Sequence, residues 1–160
     1  MSRRGLTSLA TLALATGLSA SALAAPQNGV TIGGLRAHLF YERSGVLSDD
    51  VLARDPPFSG WNTVIGEGDA GEPAENLLVI ARLDNPGAEA FLDEKVTIRV
   101  SGEKGKKLKE RVFSGVLLAE RGTVHLPMWI DDAGCLGAVT ITVTFRRQSA
   151  SKPLQLMCGE

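Results

Sequence analysis

The residues best equipped for chemistry lie in one stretch, Trp61-Asn62-Thr63-Val64-Ile65-Gly66-Glu67-Gly68-Asp69-Ala70-Gly71-Glu72. Glycines alternate with acids there, and Asp49, Asp50, Asp55 and Glu75 are close in sequence. Calcium takes about six to eight oxygen ligands from flexible loops, and carboxylates with free carbonyls supply them. The spacing matches neither the helix-loop-helix calcium loop nor a nonapeptide calcium repeat. The stretch therefore reads first as a solvated acidic loop that serves as an interaction surface. Its second reading is a calcium-dependent or carbohydrate-binding loop, with Glu67, Asp69, Asp49 and Asp50 as candidate ligands. Trp61 and Glu72 belong to the same candidate surface. The acids argue against a phosphate cradle, because they would repel the ligand.

Other constellations are thinner. Asp131 and Asp132 are adjacent carboxylates, but neighbours on a turn rarely converge on one substrate, and Asp is a good turn former in its own right. His38 and His125 are the only histidines. Serine hydrolysis would need one of them beside an activated serine, and no G-x-S-x-G elbow occurs. Ser59-Gly60 and Ser114-Gly115 read as turn pairs. No catalytic residue is assigned, and the expectation is a protein that is not an enzyme and needs no cofactor.

Cys135 and Cys158 are an even pair in a chain with an export signal, which reads as a disulfide. They bracket the last two expected strands, so a hairpin brings them together. A redox role would want C-x-x-C spacing, and a zinc site would want more soft ligands.

The elements that must position these residues have a period of two. Val96, Ile98 and Val100 alternate with polar neighbours, as do Val139, Ile141, Val143 and Phe145. Val124, Leu126, Met128 and Ile130 share a face opposite His125, Pro127 and Trp129. Leu154, Leu156 and Cys158 share another. The first strand is expected over Gly33 to Tyr41, with Leu35, Ala37 and Leu39 on one side. Leu77 to Ala81 is apolar on both faces and reads as a central strand. Turns are expected at Asp84–Gly87, Gly102–Gly105, Glu120–Gly122, Asp131–Gly134 and Gln148–Ser151. About seven strands and no long helix point to an all-β protein, an antiparallel β-sandwich of immunoglobulin-like or fibronectin-like shape with a disulfide-pinned C-terminal hairpin. Residues 42–75 read as a long irregular loop, at most with a short turn over Ser48 to Ala53. Trp129 then either stands exposed as an anchor for a partner or is covered by that loop through Trp61 or Phe58.

Residues 1–24 read as a secretory signal. Arg3 and Arg4 precede an apolar run from Leu6 to Leu18, and Ala22-Leu23-Ala24 fits the cleavage rule, leaving Ala25 first. Ser2-Arg3-Arg4 only faintly resembles a twin-arginine signal. No later segment has enough apolar residues to span a bilayer. The remainder, 25–160, is expected to be a single domain.

All 18 acids but only 15 of the 17 bases lie beyond residue 24, so that part carries 15 − 18 = −3. Residues 42–94 hold 12 acids and three bases, whereas 95–160 hold 11 bases and six acids. A bipolar chain with no aromatics between its lysines is a poor nucleic-acid binder. The basic run Lys104 to Arg111 reads as a solvated strand that blunts a sheet edge. The sequence thus points to an exported, periplasmic or secreted, bacterial binding module whose partner is an envelope protein or glycan.

Overall fold

The computed structural model describes residues 29–159 apart from Ala88. The expected signal at 1–24 and the start at Ala25 lie outside the described residues. Alternating apolar residues form strands because one face can be buried while the other stays in water. Strand β1 (Thr31–Tyr41) buries Leu35, Ala37 and Leu39, which leaves Arg36, His38 and Phe40 on the opposite face. Two short strands follow, β2 (Val46–Leu47) and β3 (Ser59–Trp61). Strand β4 (Asn76–Asn85) buries Leu77, Val79, Ala81 and Leu83. After β5 (Phe91–Leu92) come β6 (Val96–Ser101) and β7 (Lys107–Phe113). The chain closes with β8 (Val116–Leu117), β9 (Gly122–Ile130), β10 (Gly137–Phe145) and β11 (Gln148–Met157).

Two sheets pack face to face, ordered β2-β1-β4-β9 and β3-β11-β10-β6-β7, beside a small β5-β8 ribbon. Their inner faces meet in one core, with Leu39, Leu77, Leu83 and Met128 from the first sheet and Ile98, Ile141, Phe145 and Leu156 from the second. Each such side chain stabilises the fold by roughly 1.5–3 kcal/mol. Seven strands have six residues or more, as the alternation suggested; the other four have two or three. The long ones split into β1-β4-β9 and β11-β10-β6-β7, an arrangement of the immunoglobulin and fibronectin kind. As expected, β4 is interior to its sheet, and the lysine-bearing β7 is an exposed edge.

Three details differ from the sequence reading. Segment 42–75 is not structureless, because it contributes β2, β3 and a 3-10 turn at Thr63–Ile65. The sheets are not wholly antiparallel, because β3 runs parallel to β11. And Gln148 to Ser151 are not a turn. They lie in β11, paired with Thr142 to Phe145, and the hairpin reverses at Arg146 and Arg147.

The reason for the last is tertiary. Arg146 has φ 53°, a left-handed conformation that is uncommon outside glycine. Its guanidinium donates to both oxygens of Glu89, at 2.8 and 2.7 Å, and to both of Glu94, at 2.9 and 3.0 Å. It also stacks 4.7 Å above the Phe145 ring. Hydrogen bonds from Arg146 hold the Glu89 and Glu94 carboxyls below their ordinary range. A depressed carboxyl stabilises the fold above its unfolded value, about 4.3, and that contribution is lost as pH falls through the lower folded value. Arg146→Ala is therefore expected to lose stability at pH 7 and to show a shallower decline below about pH 4.3 than the parent. Urea unfolding across that range checks it.

Candidate functional site

The acidic Gly-rich loop is closed on itself. Trp61 pairs with Met157 across the β3–β11 ladder and is 51% exposed. Asn62 carries the chain through φ 56° and donates from Nδ2 to Glu67 Oε2 at 2.8 Å. Thr63 is fully buried; its hydroxyl donates to the Gly134 carbonyl at 3.0 Å, and its own carbonyl accepts from Ala74 N at 2.8 Å. Gly66 and Gly68 have φ 84° and 69°, and a Cβ on either would press on backbone atoms, so glycine is needed there for shape. Asp69 Oδ2 accepts from Ser59 N at 2.8 Å, and its other oxygen stands 3.5 Å from Arg54 Nη2.

The other acidic candidates are dispersed. Asp50 Oδ1 accepts from Ala37 N and from Leu52 N, both at 3.0 Å, and so acts as an edge partner for β1. Asp49 is an exposed neighbour on the same turn, and Glu72 is half-buried in the loop. Among the described residues, no three His, Cys, Asp or Glu side chains gather to hold a metal ion. Asp131 pairs with Lys109 at 3.5 Å rather than with Asp132, which sits at φ 54°. His38 Nδ1 lies 2.8 Å from the Ser48 carbonyl oxygen, and His125 stands cross-strand from Arg82. Ser59 lies in β3 and Ser114 in the β7–β8 turn, so neither serine is set beside a histidine on these strands.

Cys135 and Cys158 form the expected disulfide, with Cα atoms 5.0 Å apart. Ala133 N and Gly134 N both donate to the Glu75 carbonyl, at 2.6 and 3.1 Å. The disulfide thus ties the C-terminus to the turn on which the acidic loop rests.

What remains open is the outward face of the β2-β1-β4-β9 sheet. Register places His38 beside Leu78 and Leu78 beside Trp129. The next row is Arg36, Ile80 and Pro127, and the row on the other side is Leu47, Phe40 and Asn76. Trp129 is 37% exposed and meets Phe40 edge-to-face at 5.3 Å. The expected cover by Trp61 or Phe58 is not what is found. Phe58 is buried in the core and Trp61 lies against Gly159 at the disulfide end. Leu78 and Ile80 are half-buried although they face away from the core. This explains why β4 is apolar on both sides. The sequence reading found Trp129 and His125 here but not Arg36, Phe40, Leu78 or Ile80. The outward residues of β1, together with the two-sided apolar β4, were the available signal.

No family model matches the chain, and no curated protein matches it. Among solved structures, the C-terminal domain of wzt is similar to 84% of this chain and 75% of that one, at 10% identity and a TM-score of 0.42.

Two outcomes follow from this geometry. Replacing both cysteines by serine is expected to lower unfolding stability by about 3 kcal/mol, from the loop closed across 23 positions. Urea titration of both forms measures it. Excess calcium is expected to leave the melting temperature of the oxidised protein unchanged. A site filled at about 100 times its dissociation constant would instead add about 2.7 kcal/mol and several degrees.

Proposed function

We propose that this chain is an exported, non-catalytic binding module of the bacterial cell envelope. It meets its partner, an envelope protein or a glycan, on the open face of the four-stranded sheet. The observation that carries this reading is the Phe40–Trp129 pair on a sheet face whose outward residues are half apolar. Apolar patches on a single domain's surface mark binding sites, and tryptophan dominates such sites energetically. The acidic loop, first choice on sequence, ranks second because Glu67 and Asp69 are engaged within it. Export rests on the signal-like residues 1–24. The absence of an enzymatic role is supported by the placement of His38 and His125 on a sheet face rather than in a cleft with an activated serine or carboxylate.

The test is photo-crosslinking in the producing cell. A photoreactive side chain at His125 is expected to give a discrete adduct. The same group at Thr144, exposed on the outer face of the other sheet, is expected to give none. The His125 adduct should also disappear when Trp129→Ala is added. Equal adducts at both positions, or none at either, would remove the face as the binding surface.

A further inference from the structure

The open face has a charge pattern that narrows its ligand. Arg36 is exposed at the β1 end of the row it forms with Ile80 and Pro127, and it makes no ion pair or hydrogen bond with a described residue. Acids at the ends and edges of this sheet are engaged elsewhere. Asp84 is held by Arg82, with Nε and Oδ1 3.1 Å apart and Nη2 donating to Oδ2 at 3.2 Å. Glu42 accepts from Glu75 N, Asn76 N and Asn76 Nδ2. Asp50 is turned to the β1 backbone, and Asp131 to Lys109. The face keeps a free guanidinium and two imidazoles, His38 and His125.

A free guanidinium on the same sheet face as an aromatic pair, with Leu78 and Ile80 between the two strands that carry them, suits one chemistry. Sugar rings present apolar C–H faces to aromatic and aliphatic side chains, and their polar groups are recognised by a few placed donors. Arginine binds a carboxylate through two parallel hydrogen bonds. We infer that the open face takes an acidic glycan, with a sugar ring on Trp129 and Phe40 and a uronate carboxylate on Arg36. This rests on the open-face reading above. A peptide strand is disfavoured because it needs unpaired main chain at a sheet edge. The β9 edge offers Pro127, which has no N–H and whose carbonyl already accepts from Arg111 at 2.8 Å.

The experiment uses the mature protein carrying Trp61→Phe, so that Trp129 is the sole tryptophan and is excited selectively over Tyr41. The probes are oligomers of galacturonate and of mannuronate, with carboxyl-reduced oligomers of equal length as neutral counterparts. At least one uronate oligomer is expected to change Trp129 emission saturably, with affinity falling as salt rises. Arg36→Ala is expected to weaken it roughly tenfold or more, the usual range for a hydrogen-bonded charge pair. Arg36→Lys should recover only part, because ammonium lacks the planar fork. The inference is overturned if no uronate oligomer binds, if neutral oligomers bind equally well, or if Arg36→Ala changes nothing. A His125 crosslink in cells alongside failed uronate binding would remove the glycan and keep the face. Failure of both would remove the face as well.

Discussion

A single buried hydroxyl organises one end of this molecule. Thr63 lies in a segment with only short strands of its own, so its polar backbone needs partners from elsewhere. The hydroxyl bonds the Gly134 carbonyl, and the Thr63 carbonyl accepts from Ala74 and, at 3.1 Å, from Gly66. Those bonds fold the acidic loop back on itself and seat it on the 133–135 turn. The Cys135–Cys158 bridge then fastens that turn to the end of β11, where β3 adds its parallel bridge. Losing the hydroxyl would leave a buried carbonyl unpaired, at a cost of about 1–3 kcal/mol.

The same need explains the other half of segment 42–75. The outer edge of β1 would expose donors beyond β2. Ser48 Oγ accepts from Leu39 N at 2.9 Å, and Asp50 Oδ1 accepts from Ala37 N. Side chains there do the work of a missing strand, and Val51 N completes the pairing on the Ala37 carbonyl at 2.8 Å. Asp50, a candidate cation ligand in sequence, is thereby turned inward as an acceptor. A carboxylate already bonded to backbone N–H groups has less to offer a metal or a partner.

With Asp50, Glu67 and Asp69 engaged, the contrast in available chemistry moves to the open face. Inward residues of β1, β4 and β9 make one side of the core, while their outward neighbours stand in rows set by register. Because cross-strand neighbours lie only about 5 Å apart, residues distant in sequence form one surface without a loop to gather them. Arg36, Ile80 and Pro127 are a row of this kind. Rigid strands hold such a surface more firmly than loops would, which favours a ligand that needs fixed spacing.

The alternation of apolar residues was enough to read the class of fold, the seven long strands and the inward faces of β1, β6, β9 and β10. The disulfide was readable too, because two cysteines flanking a hairpin have few other options. These are local signals, since a strand's inward and outward sides follow from a period of two wherever it lies. Tertiary structure decided the rest. Whether Trp129 was covered depended on where Phe58 and Trp61 went. Whether Asp69, Asp50 and Glu67 were free depended on which donors the folded chain brought to them. Whether Gln148 to Ser151 turned or extended depended on Glu89 and Glu94, more than 50 positions from Arg146. Sequence marks a side chain as able to face water or accept a bond; only packing settles what stands opposite it.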